Sequence, residues 1–150
     1  MRIAIGADHG GFDLKGHIIK FLKEKGHTVK DFGTFSAERC DYPGIGYAVA
    51  SEVASGRFNR GVLICKSGLG MSIISNKVPG IRAALLRAPE DARSSRMHND
   101  ANIAVFSGSS TGRRRALTML RLWLSEDFLG GRHARRVNQI KKIEKKIRGA

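Results

Sequence analysis

The sequence predicts an α/β fold, a five-stranded parallel sheet with helices on both faces, from three observations. Short β-branched apolar runs alternate with longer amphipathic stretches, and each run is bounded by Gly, Asp or Asn. The alternation continues without an internal repeat or a Pro- or Ser-rich linker, which is the rhythm of βαβ units. Strands are expected near Arg2–Ala7, Thr28–Phe32, Gly61–Cys65, Arg82–Leu86 and Asn102–Phe106, each too short to be a helix. Between them, Leu14, Ile18, Phe21 and Leu22 recur at helical spacing. So do Ala48, Val49, Glu52 and Val53, and later Ala116, Leu117, Leu120 and Leu124. Asp41 is placed to cap one helix, with Pro43 in its first turn, and Pro89 followed by Glu90 and Asp91 opens another. Residues 132–148 form a basic amphipathic helix whose stripe, Val137, Ile140, Ile143 and Ile147, needs a partner surface.

At 150 residues, with 41% hydrophobic and 27% charged side chains, the chain is expected to be one globular domain, 1–150. No apolar run is long enough to cross a bilayer. Met1 leads straight into Ile3–Ala7 and Asp8, without the pattern of a secretory signal, so a cytoplasmic location is expected. Cys40 and Cys65 form neither a disulfide framework nor a metal-ligand pattern. The net charge of +14 favours anionic partners, and residues 132–150 supply half of it, with eight basic residues against one acidic. That tail has no interleaved aromatics, and no nucleic-acid-binding signature occurs, so a small anion ranks ahead of nucleic acid.

In an open parallel sheet, ligands bind outside the carboxyl ends of the strands. Cys65-Lys66-Ser67-Gly68-Leu69-Gly70 follows the third strand and opens a helix, so its glycines free backbone N–H groups to face an anion such as a phosphate or an enediolate. It lacks the third glycine of a dinucleotide fingerprint and the GK[ST] of a P-loop, and a plain strand-to-helix turn reads equally well. Cys65 sits at a helix start beside Lys66, two features that favour a thiolate, making it a candidate nucleophile or base. Ser67 can donate to an oxyanion or cap the helix. Asp8 and His9 pair an acid with an imidazole after the first strand, where Asp8 also suits a capping role. His98 and Asn99 precede the fifth strand, where they suit a helix end as well as a site. Arg132 and Arg136, four apart, suit a phosphate clamp or a solvated face.

Taken together, ADHGGFDLK, DFGT, DYP, GVLICKSGLGMSI, NKVPGIRAAL, HNDAN and GGRHARRV resemble, in order and spacing, the type B ribose-5-phosphate isomerases, a family that includes galactose-6-phosphate isomerase subunits. The resemblance implies a flavodoxin-like three-layer sandwich and a homodimer or dimer of dimers with active sites shared between subunits. It also implies interconversion of an aldose phosphate and a ketose phosphate without metal or other cofactor. By the same resemblance, Cys65 is the base that moves a proton between C1 and C2, Ser67 moves the hydroxyl proton, and His98 opens the sugar ring. Asp8, His9, Tyr42, Asn99, Gly68 and Gly70 bind the sugar, Arg132 and Arg136 hold its phosphate, and the C-terminal helix packs on the other subunit.

Two positions depart from the family pattern. Lys66-Ser67 stands where Gly-Thr is usual, and Ser109 stands where an arginine usually meets the phosphate. Lys66 is therefore expected to bind substrate as a replacement cation, with Arg113–Arg115 as another source of charge. Two further readings stay open: an isomerase of a different sugar phosphate, such as allose 6-phosphate, and an anion-binding module that keeps the fold without catalysis.

Overall fold

The structure, a computed structural model, describes residues 1–149. Its elements are β1 (Arg2–Ala7), a 3-10 turn at His9–Gly11, α1 (Phe12–Glu24), β2 (Thr28–Asp31), α2 (Tyr42–Ala54) and β3 (Arg60–Cys65). They continue with α3 (Leu69–Ser75), β4 (Ala83–Leu85), α4 (Pro89–Met97), β5 (Ile103–Ser107), α5 (Arg113–Ser125) and α6 (Gly131–Arg148). All five strands are parallel, in the order β2-β1-β3-β5-β4. The expected three-layer, flavodoxin-like sandwich is present, and its winding has one feature of its own. β5 inserts beside β3 and leaves β4 at the edge, whereas a flavodoxin sheet runs 2-1-3-4-5.

Strand pleating sends alternate side chains to opposite faces, and the burial of both faces explains the near-continuous apolar runs. On one face Ile3, Ile5, Val62, Ile64, Ala104 and Phe106 pack against α1, α4 and α5. On the other, Ala4, Leu63, Cys65, Ile103 and Val105 meet Val49, Ala50 and Val53 of α2 and Met71 of α3. Ala7 pairs with Ile64, and Ile64 with Phe106, so β1, β3 and β5 finish level and their following loops share one edge.

Two expected strand starts shift for identifiable reasons. Arg82 stays outside β4 because Asn102 Oδ1 accepts from its backbone N–H, 2.8 Å, and its guanidinium binds the carbonyls of Asn99 and Asp100. Asn102, whose Nδ2 donates to Gly80 O at 2.8 Å, is likewise withheld from β5, which ends instead on Ser107. Asp41 occupies the N-cap position of α2, but its side chain makes no capping bond. Pro43, at the second helical position, has no N–H to offer it.

Lys15, on α1, is only 2% exposed, and its ammonium binds both carboxylate oxygens of Asp31 at 2.7 and 2.8 Å together with Thr34 O. The rings of Phe12 and Phe35 flank it, at 5.7 and 5.2 Å. The segment after β2 is thereby tied to α1. Asp31→Ala would strand a buried ammonium, a change that costs roughly 3–5 kcal/mol when both partners are buried. With Asp31 27% exposed, a loss of about 2 kcal/mol is expected, read from urea unfolding.

The C-terminal helix buries Val137 and His133 near its start, and the Glu144 carboxylate accepts from Gly80 N at 3.3 Å. Further along, Ile140, Ile143 and Ile147 are 44, 57 and 72% exposed, so most of the apolar stripe has no cover within the chain. Among the described residues no helix is long and apolar enough to cross a membrane.

Candidate functional site

The loops that follow β1, β3 and β5 are pressed together at the carboxyl edge. Gly108 lies against the backbone of Gly10, a contact that leaves no room for a Cβ. A Cβ on Gly10 would in turn stand 2.9 Å from the backbone nitrogen of Lys66. Gly108 N donates to Cys65 O at 2.9 Å. The Lys66 carbonyl accepts from Ser107 Oγ at 2.8 Å, Ser109 Oγ at 2.7 Å and Ser109 N at 3.1 Å. The loop that begins at Cys65 is therefore rigid before any ligand arrives.

Within that loop Gly68 has φ of 78°, a left-handed conformation that favours glycine, and a Cβ there would meet Leu85 Cδ1 at 2.5 Å. Gly70 lies directly beneath the ring of Tyr42, whose Cζ would be 2.5 Å from an added Cβ. Ser67 is exposed, and its Oγ accepts from Leu69 N at 3.2 Å, leaving its hydroxyl proton free to be donated. Ser67 stands one position ahead of the helix cap, which is Gly68. Cys65 is 4% exposed at the end of β3, with its side chain on the α2/α3 face of the sheet.

Beside this loop opens a cleft of about 460 Å³, lined by Asp8, His9, Arg39, Cys40, Asp41 and Tyr42. Asp8 is buried, and its carboxylate accepts from Gly10 N at 2.9 Å, so it caps the 3-10 turn while facing the cleft. His9 Nδ1 lies 3.3 Å from both the backbone N and the backbone O of Cys40, so the main chain of that loop orients the imidazole. Arg39 and the main chain of Cys40 are site elements that sequence reasoning missed, since a polar loop carries no periodic signal to place them.

Asn99, by contrast, lies ahead of the first residue of β5, whereas Cys65 is paired with Ser107, the last. The length of β5, about 16 Å at roughly 3.3 Å per residue, separates the two ends. His98 and Asn99 therefore occupy the amino edge of the sheet, and Arg132 and Arg136 join them there. The link is His133, whose ring stacks on that of His98 with centroids 4.3 Å apart and planes 12° from parallel. Leu129 N also donates to Met97 O at 3.1 Å. The intervening turn is held by Asp100, left-handed at φ 49°, whose carboxylate bridges Arg82 at 2.9 Å and the buried Arg96 at 2.8 Å. One chain thus carries the expected residues in two separate clusters: Cys65, Lys66, Ser67, Asp8, His9 and Tyr42 at one edge, and His98, Asn99, Arg132 and Arg136 at the other.

Burial lowers the pKa of His133, and the neighbouring His98, Arg132 and Arg136 lower it further. The unfolded chain takes up that proton near pH 6.5, the folded one only below it. Stability is therefore lost as pH falls from about 6.5 towards the depressed value. The Tm is expected to drop between pH 7.5 and 5.5, and to drop less in His133→Phe, as thermal unfolding at the two pH values will show.

A thiol, a free hydroxyl and glycine-freed N–H groups at the carboxyl edge of a parallel sheet are the equipment of an α/β enzyme that moves protons on a small anionic molecule. Comparison with known proteins sharpens that class. The family described as Ribose/Galactose Isomerase matches residues 3–140. Ribose-5-phosphate isomerase B of Escherichia coli (strain K12) is 44% identical over 145 residues, 97% of each chain. A galactose-6-phosphate isomerase subunit of Clostridium acetobutylicum is 46% identical over 112 residues, 75% of this chain and 65% of its own. The solved structure of Clostridium thermocellum ribose-5-phosphate isomerase B superposes with a TM-score of 0.96 at 52% identity, covering 98% of this chain and 99% of that one. The chain belongs to the ribose/galactose isomerase family and is an isomerase.

Proposed function

We propose that the protein interconverts ribose 5-phosphate and ribulose 5-phosphate through a cis-enediolate, in an active site assembled from two copies of the chain. The observation that carries this reading is the split site: the thiol, hydroxyl and N–H groups lie at one edge of the sheet and the imidazole with two arginines at the other. A second copy that presents its amino-edge cluster to the carboxyl-edge cleft completes both sites of a symmetric dimer. The uncovered Ile140, Ile143 and Ile147 of α6 are the apolar surface that such a dimer buries.

In the proposed reaction His98 assists ring opening, and Arg132 and Arg136 hold the phosphate at the far end of the sugar. The Cys65 thiolate takes the proton from C2 of the open-chain aldose. The electron pair forms the C1–C2 double bond, and the carbonyl oxygen on C1 becomes a hydroxyl by accepting a proton through Ser67. Backbone N–H groups of Gly68–Gly70 face the developing charge. The O2 hydroxyl then passes its proton to Ser67, restoring the serine hydroxyl, and Cys65 returns its own to C1, which yields the ketose. Asp8, His9, Tyr42 and Asn99 hold the sugar hydroxyls. Lys66, exposed beside the thiol, supplies a cation at the corner where Ser109 is occupied with the Lys66 carbonyl. Lys66→Ala is accordingly expected to raise KM several-fold with little change in kcat.

The test is conversion of ribose 5-phosphate by the purified protein in excess chelator, with allose 6-phosphate and galactose 6-phosphate in parallel. Fastest turnover of the five-carbon sugar, undiminished by the chelator, is expected. Faster turnover of a six-carbon sugar would reassign the substrate within the family, and inertness towards all three would sink the reading.

A further inference from the structure

We infer that His133 is a positioning residue that fixes the ring plane of His98 and locks it to the arginine pair in a single unit. The inference deepens the proposed function, on which its kinetic consequence rests. His133 is 8% exposed although it sits in the first turn of a helix whose neighbours Arg132, Arg135 and Arg136 are all exposed. It is placed inward by the same four-residue step that buries Val137. Its ring then covers one face of the His98 ring, at 4.3 Å and 12°.

The hydrogen bonds that hold His98 among the described residues act on its backbone. Its N–H donates to Ser94 O at 2.8 Å, and Arg96 and Arg82 fix the following turn through Asp100. Among the described residues no hydrogen bond reaches the imidazole of His98, and the His133 ring is the flat surface laid against it. A group that transfers a proton must be aimed as well as present, and a small misplacement costs rate rather than affinity. Because His133 follows Arg132 directly, any shift of α6 moves the phosphate clamp and the imidazole together. The distance between the reacting end of the sugar and its phosphate is thereby set by one rigid contact.

The experiment compares His133→Leu, which keeps the bulk without a flat face, with His133→Phe, which keeps the face. Two readings are taken: steady-state kinetics on ribose 5-phosphate, and the His98 ring-proton resonance in the NMR spectrum of the intact protein. His133→Leu should lower kcat about tenfold with KM within twofold, and should shift the His98 resonance downfield as the stacking ring current is lost. His133→Phe should stay close to wild type in both. An unmoved His98 resonance in His133→Leu would overturn the inference. So would a raised KM at unchanged kcat, which would assign His133 to the arginine clamp instead, or equal losses in both variants in step with lowered Tm. If the wild-type protein turned over no sugar phosphate, the isomerase reading would fall on its own, and the resonance comparison would still decide the positioning role.

Discussion

Cys65→Ala is expected to lower turnover of ribose 5-phosphate by about three orders of magnitude while leaving the protein folded. A positioned general base contributes on the order of 10²–10⁴-fold, and an alanine at the end of β3 offers no group in its place. The structural cost is small, because deleting one sulfur beside Met71 leaves a cavity smaller than a water molecule and removes about 1 kcal/mol of packing. A Tm within a few degrees of wild type, with binding of ribulose 5-phosphate retained by calorimetry, would separate lost chemistry from lost structure. Cys40→Ala is the matched control. Only the main chain of Cys40 bonds to His9, so its thiol can be removed with less than a twofold effect on rate. Turnover in Cys65→Ala above a tenth of wild type would move the base elsewhere.

The second large effect comes from mixing two inactive proteins. If each active site takes its thiol from one copy and its arginines from the other, Cys65→Ala and Arg136→Ala fail for complementary reasons. Dissociated and reassociated at equal concentration, half of the dimers pair one variant with the other. Each such dimer holds one site with both lesions and one site with none. Recovery of about a quarter of wild-type activity is then expected from two preparations that are nearly inert alone. A mixture no more active than its components, after exchange has been verified by mass, would show that each chain closes its own site.

The parts of this architecture that were legible in the sequence are those encoded by local periodicity. Ile3–Ala7, Val62–Cys65 and Ile103–Phe106 announce buried parallel strands because both of their faces are covered, and the 132–148 helix shows its stripe at three- and four-residue steps. The strand order was not legible. Whether β4 or β5 lies beside β3 is decided by how α4 crosses the sheet, and neither strand differs enough in composition to say so. Asp41 shows the same limit on a smaller scale, since a favourable capping residue stands at the helix start and yet makes no capping bond.

The site divided in the same way. Cys65, Ser67, Gly68 and Gly70 lie within six residues, so a glycine-rich turn at the end of a strand could be read from spacing, whereas the roles proposed for them rest on the family resemblance. His133 was hidden among arginines, and the signal that could have found it is its four-residue step to Val137, which turns it inward. The opposite placement of His98 and Cys65 follows from parallel strands and antiparallel helices, but only once His98 is known to end α4 rather than to sit in a loop.

The glycine contacts that fuse the carboxyl-edge loops bear on how such a protein can change over evolutionary time. Any side chain at Gly108 or Gly10 would drive two loops apart, and one at Gly70 would push out Tyr42. The floor of the proposed site is therefore cast in backbone and admits almost no variation. In the proposed dimer its other wall would come from a helix end and the start of the partner's last helix, where exposed arginines stand on a surface with room to substitute. New sugar preferences would thus be acquired by altering what one copy lends to its neighbour, so that a mutation is expressed in a site the mutated chain does not itself contain the thiol for. Selection on specificity and selection on association would then act on the same few residues.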